Sequence, residues 1–142
     1  MNKQKVLFLC TGNSARSQMA EALLRKHSDD QFEAYSAGLE PKAVNPYTVR
    51  VMDEVGIDIR NQSAKSVREF MGKVQFDHTV IVCRRAEPNC PTIYPDSRYY
   101  QRWLFDDPAA VVGDDTEKLA RFRDVRDQID ERLKLWIAET LE

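Results

Sequence analysis

The residues Cys10-Thr11-Gly12-Asn13-Ser14-Ala15-Arg16-Ser17 put a thiol and a guanidinium at the two ends of one short polar stretch. An apolar run, Val6-Leu7-Phe8-Leu9, precedes it, and Met19-Ala20-Glu21-Ala22-Leu23-Leu24 opens a helical pattern after it. A loop between a strand end and a helix start aims backbone N–H groups and the positive end of the helix at one point. That is an oxyanion site, and Arg16 can grip two oxygens of a tetrahedral anion. The helix start, Arg16 and the Ser17 hydroxyl together would hold Cys10 as a thiolate nucleophile. Thr11, Gly12, Asn13, Ser14, Ala15 and Arg16 are the expected oxyanion-binding residues, stabilising charge on a pentavalent transition state. Asp106 is the expected proton donor to the leaving oxygen. Read alone, this set describes a phosphatase or an enzyme acting on a phosphate mimic.

The elements that must position these groups follow from periodicity. Lys5–Cys10 is apolar from Val6 onward and ends at Thr-Gly, which predicts a buried strand. Arg16 to about His27 carries Met19, Ala20, Leu23 and Leu24 on one helical face. Phe32–Ala37 reads as a second strand, with Gly38 turning the chain after it. A helix is expected from Pro46 with Asn45 as cap, with Val49, Met52 and Val55 inward and Gly56 ending it. Ser66 and Glu69 form a capping-box pattern for a short helix reaching about Met71. His78–Cys83 predicts a third buried strand, and Arg84 to Pro91 a polar, proline-containing loop. Tyr99–Phe105 reads as a short edge strand closed by Asp106-Asp107-Pro108. The last helix runs from Thr116, with Leu119, Phe122, Val125, Ile129, Leu133, Ile137 and Leu141 on one stripe and Asp114 with Glu117 as its capping box.

Alternating strands and helices predict an α/β fold in three layers: a four-stranded parallel sheet with helices on both faces. Ligands of such sheets bind at the carboxyl ends of the strands. Cys10 and Cys83 each end a strand there, and the Asp106 segment can reach the same edge.

The chain has 142 residues, the size of one domain, and residues 1–142 are expected to form a single catalytic unit. Its 42% hydrophobic and 31% charged residues are those of a soluble globular protein. A formal net charge of -2 gives no reason to expect nucleic acid or an acidic membrane as partner. No apolar run is long enough to cross a bilayer and the N-terminus lacks a signal-peptide design, so a cytoplasmic location is expected. Cys10, Cys83 and Cys90 are an odd set in a chain too large to need staples, which favours catalytic, redox or buried roles over structural disulfides. Their spacing suggests no zinc site, and no bound metal is expected.

The opening loop, Ser36-Ala37-Gly38, Asn45-Pro46 and Asp107-Pro108 resemble the low-molecular-weight protein tyrosine phosphatase fold. Cys83, then Cys90-Pro91, then Trp103-Leu104-Phe105-Asp106-Asp107-Pro108 resemble one branch more closely, the thioredoxin-coupled arsenate reductases. The resemblance implies that Cys10 attacks arsenate, Cys83 attacks Cys10 as arsenite leaves, and Cys90 attacks Cys83. Thioredoxin would then reduce the Cys83–Cys90 bond; glutaredoxin with glutathione, or mycoredoxin with mycothiol, are the alternative reductants. No cofactor would be bound, phosphate or sulfate would act as substrate mimics, and a monomer is expected. Relatives can hold a potassium ion through groups matching Asn13, Glu21 and Ser36 plus an aspartate. Lys65 stands at the aspartate position, and its ammonium is expected to replace the ion. Ala15 stands where many relatives carry another cysteine. Arg84 and Arg85 would either ease ionisation of Cys83 or tune the choice of reductant, and Pro88 would restrict unwinding of the loop. The runner-up function is a tyrosine phosphatase that hydrolyses a phosphocysteine at Cys10. A phosphate- or arsenic-sensing binding protein would leave Cys10 and Asp106 without a task.

Overall fold

The centre of the sheet is β1 (Gln4–Cys10), whose residues Val6, Leu7, Phe8 and Leu9 are fully buried. The computed structural model describes residues 3–83 and 96–141. After β1 come α1 (Arg16–Ser28), β2 (Phe32–Gly38), α2 (Pro46–Asp53), β3 (Phe76–Ile81), β4 (Ser97–Arg102) and α3 (Asp115–Thr140). Short 3₁₀ turns occupy Val67–Glu69 and Pro108–Ala110. The strand order is β2-β1-β3-β4 and every pairing is parallel. The chain leaves β1 toward β2 on one side and returns to β3 on the other, so the order reverses at β1. The crevice outside its carboxyl end is the place where such sheets bind ligands, and Cys10 stands there.

Adjacent residues of β2 show how the layers form, because side chains alternate across a strand. Ser36 Oγ donates to Glu21 Oε1 of α1 at 2.5 Å, whereas Tyr35 meets the ring of Phe70 edge-on at 5.5 Å. One face is thus covered by α1 and α3, and the other by the chain around the Val67–Glu69 turn. Trp136 anchors the far end of α3, its ring 5.0 Å from Phe32 and 6.1 Å from Trp103.

Local signals were accurate where the bonds that close an element are themselves local. Ser66 and Glu69 make both bonds of the capping box. Asn45 Oδ1 accepts from Tyr47 N at 2.9 Å, capping α2 with Pro46 in its first turn. Gly56 takes φ of 78°, and the bonds Gly56 N to Asp53 O (3.0 Å) and Ile57 N to Met52 O (3.0 Å) complete a Schellman ending. Differences arise where packing overrides pattern. The buried residues of α2 are Thr48, Val51 and Met52, with Val49 and Val55 half-buried, because the helix is rotated toward α3 and the loop after β1. β3 begins at Phe76, two residues before the expected start. β4 is Ser97–Arg102, so Trp103 and Phe105 lie beyond the strand, where they are buried as packing groups. Asp114 caps α3 through Glu117 N at 2.9 Å, and Leu141 is 44% exposed at its end instead of continuing the buried stripe.

Candidate active site

The loop between β1 and α1 is held from outside by its own carbonyl groups. Leu39 N donates to Cys10 O (3.2 Å), Glu40 N to Thr11 O (2.9 Å), Lys42 N to Gly12 O (2.9 Å) and Asn45 N to Ser14 O (3.0 Å). Gln18 Nε2 donates to Asn13 O at 3.0 Å. In a trans peptide the carbonyl and the following N–H point in opposite directions. Tying these five carbonyls outward therefore turns the N–H groups of Thr11 through Ala15 inward. One of them is seen to arrive: Asn13 N donates to Cys10 Sγ at 3.2 Å. Gly38 allows the belt to lie this close, since a Cβ there would stand 2.6 Å from Thr11 O and 2.8 Å from Asn13 N.

Cys10 is a free thiol, 3% exposed at the floor of the cleft. Its sulfur is 2.9 Å from Ser17 Oγ, and Asn13 Nδ2 donates to that same hydroxyl oxygen at 2.8 Å. Ser17 Oγ thus receives one hydrogen bond and has its own proton to give to the sulfur. Asn13 adopts a left-handed φ of 50°, the conformation that Asn tolerates better than most residues. The cap of α1, Ala15, makes no side-chain capping bond and the first turn carries no acid, so the helix start is left for an incoming anion.

Arg16 is 5% exposed, and its Nη1 donates to Phe105 O at 3.1 Å, which aims the guanidinium across the loop. The other nitrogen, Nη2, lies 4.0 Å from Asp107 Oδ2. Asp106 lines the same cleft, but its carboxylate is ion-paired with Arg121 of α3. Asp107 also caps the Pro108–Ala110 turn through Ala109 N at 3.0 Å, which fixes its backbone beside Arg16. The cleft encloses about 810 Å³, with Glu40, Lys42, Asn45, Val111 and Arg121 at its walls. No aromatic side chain lines it among the described residues.

The structure thus brings Cys10, Thr11, Gly12, Ser14, Ala15, Arg16 and Asp106 to one cleft. Asn13 and Ser17, both fully buried, sit beneath it and serve the sulfur. Cys83 is fully buried just past β3, with Arg102 Nη1 donating to its carbonyl at 3.2 Å. Val82 N donates to Leu9 O at 3.0 Å, so Cys10 and Cys83 leave neighbouring strands at one edge. Cys83 is disulfide-bonded. Cys90, Pro91, Arg84, Arg85 and Pro88 lie outside the described residues.

Lys65 meets the groups expected around a cation. Its Nζ donates to Ser63 O at 2.7 Å and lies 3.7 Å from Glu21 Oε1, and its backbone N donates to Asn13 Oδ1 at 2.8 Å. Glu21 is 5% exposed and also binds Ser36 and Arg25, so its charge is already compensated. This set does not fit an added potassium ion. Among the described residues, no group of three or more His, Cys, Asp or Glu could hold a metal, and no helix is long and apolar enough to cross a membrane. Sequence reasoning missed the Leu39–Asn45 belt, Gln18 and the place of Asp107 beside Arg16. The Asp107-Pro108 pair was a signal for Asp107, since Asp before Pro at a turn start caps it.

Residues 5–142 match the family model described as low molecular weight phosphotyrosine protein phosphatase. An arsenate reductase of Halalkalibacterium halodurans is 46% identical over 141 residues, covering 99% of both chains. An arsenate reductase of Bacillus subtilis is 42% identical over 135 residues, covering 94% of this chain and 95% of that one. A solved arsenate reductase in its phosphate-binding state superposes with a TM-score of 0.76 at 31% identity, covering 96% of this chain and 98% of that one. The chain belongs to the low molecular weight phosphotyrosine protein phosphatase family, and within it stands with the arsenate reductases.

Proposed function

We propose that this protein reduces arsenate to arsenite, with Cys10 as nucleophile and Cys83 and Cys90 as its thiol relay. The observation that carries the reading is the pairing of a free Cys10 thiol, under a ring of inward N–H groups, with a second cysteine leaving the adjacent strand. The Cys10 sulfur attacks arsenic(V), and a hydroxide of arsenate leaves as water with a proton from a carboxyl group. We assign that proton to Asp107 and not to Asp106, because Asp107 lies beside Arg16 while Arg121 claims Asp106. The Cys83 thiolate then attacks Cys10 Sγ. A sulfur–sulfur bond forms, the sulfur–arsenic bond breaks, and its electron pair stays on arsenic, which leaves as arsenite. Attack of Cys90 on Cys83 frees Cys10, and an external dithiol, thioredoxin, returns the two electrons. Arg16 and the loop N–H groups hold the oxyanion throughout, with phosphate and sulfate as mimics. The Lys65 ammonium takes the place of a monovalent ion behind the loop.

A phosphatase reading rests on the same loop, yet a phosphotyrosine ring would find no aromatic wall among the described residues. The test is arsenate-dependent oxidation of NADPH in the presence of thioredoxin and its reductase. Turnover is expected, with Cys83→Ser and Cys90→Ser each abolishing it. Steady hydrolysis of an aryl phosphate, with no arsenate turnover under any of the three thiol systems, would establish the phosphatase instead.

A further inference from the structure

We infer that Gln18 is a positioning residue for the nucleophile: it sets the direction of a hydrogen-bond chain that ends with Ser17 donating to Cys10. The inference rests on the reading of Cys10 as the reacting thiol. Gln18 is fully buried in the first turn of α1 and touches neither the cleft nor the sulfur. Its Nε2 donates to Ser63 O (2.9 Å), Asn13 O (3.0 Å) and Asn13 Oδ1 (3.0 Å), and its Oε1 accepts from Gln62 Nε2 at 2.6 Å.

Each amide in this chain has its orientation fixed by a group that cannot be reversed. Ser63 O and Asn13 O are carbonyl acceptors, so the NH₂ of Gln18 must face them. Lys65 N is a backbone donor, so the oxygen of the Asn13 carboxamide must face it. Arg25 Nη1 donates to Gln62 Oε1 at 3.3 Å, which leaves the Gln62 NH₂ for Gln18. With Asn13 Oδ1 held by two donors, Nδ2 is directed at Ser17 Oγ. The Ser17 proton then has Cys10 Sγ as its acceptor. Gln18 also grips Asn13 by its main-chain oxygen, which keeps the left-handed backbone that sends Asn13 N–H to the sulfur. Two hydrogen bonds to the sulfur thus depend on one side chain that never reaches it. Such aligned chains polarise one another in a dry interior.

The test uses the full chain with Cys83→Ser and Cys90→Ser, so that iodoacetamide reports on Cys10 alone, and follows alkylation rate against pH. Gln18→Met keeps the volume and removes every bond. It should move the midpoint of the profile upward by about one pH unit, a roughly tenfold slower reaction on the acid side, with the alkaline plateau unchanged. Combined with Ser17→Ala, its effect should be less than additive, because both act on the same hydroxyl. An unmoved midpoint, a uniform loss of rate at all pH values, or full additivity would overturn the inference. If Gln18→Met does not fold, Gln62→Leu carries the test one link further out. There the acid-side rate should slow by about twofold to threefold, and an unchanged profile overturns the inference. Arsenate turnover of the parent protein is measured separately. Its absence would sink the arsenate reading while leaving the alkylation result to stand or fall alone.

Discussion

Replacing Gly38 by alanine should damage the site far more than the fold. Gly38 pairs with Cys10 across β1 and β2, and its N–H is bound to Lys65 O at 2.8 Å, so β2 has no freedom to step aside. An added Cβ would meet Thr11 O at 2.6 Å, Asn13 N at 2.8 Å and Gly12 C at 3.0 Å, all three of them backbone atoms of the anion loop. Ordinary contact begins near 3.4 Å, so the loop must retreat by about 0.8 Å. Overpacking of this kind costs about 1–3 kcal/mol, and the stiffer unfolded chain of the alanine variant offsets about 0.4–1 kcal/mol of it. Net destabilisation of about 1–2 kcal/mol is expected, enough to lower the urea midpoint without unfolding the protein. A displacement near 1 Å at a reacting group costs about a hundredfold in rate. Arsenate turnover should therefore fall by about that factor in Gly38→Ala, with far-UV circular dichroism unchanged. Parental turnover together with a parental urea midpoint would refute the argument that Gly38 sets the position of the loop.

Other consequences concern individual charges. Turnover should be the same in potassium and sodium buffers, whereas Lys65→Asp should become faster in potassium; a parent already stimulated by potassium contradicts the assignment of the ammonium. Asp107→Asn should lower kcat at least tenfold, with a smaller effect for Asp106→Asn, and the reverse ranking would return the proton to Asp106. Burial of His78 against Trp136 and Tyr99 pulls its pKa below the ordinary 6.5, with Asp77 opposing and Arg98 assisting. The folded state then binds fewer protons than the unfolded chain, so this contribution to stability is full above about pH 6.5 and is lost as pH falls through the folded pKa. Urea midpoints should drop between pH 7 and pH 5, and His78→Phe should flatten that slope.

The anion loop was legible in the sequence because a strand end, a glycine and a helix start are contiguous in it. The Gly56 ending and the Ser66 and Glu69 box were legible for the same reason. What escaped is long-range in every case. The Leu39–Asn45 belt looks like an ordinary loop, and its donors find the carbonyls of Cys10, Thr11, Gly12 and Ser14 through the β1 and β2 register. Gln18 reads as a polar residue at a helix start, and its partners at Ser63 and Gln62 come from a distant turn. Asp106 and Asp107 are adjacent and chemically identical. Arg121, on a helix that begins nine residues after Asp106, ion-pairs with Asp106, whereas Asp107 lies 4.0 Å from Arg16. The aromatic content of Tyr99–Phe105 suggested one strand, yet the sheet ends at Arg102 because Trp103 and Phe105 are wanted in the core.

Reduction of the anion held above Cys10 by this chain's own thiols can be followed in a single turnover of the fully reduced protein with arsenate and no external reductant. One arsenite should be released per chain, with peptide mapping of the product placing the new disulfide between Cys83 and Cys90 and leaving Cys10 free to alkylate. Arsenite release with Cys10 still in the disulfide would contradict the last step of the relay. No arsenite at all, with three free thiols recovered, would show that these thiols do not reduce arsenate.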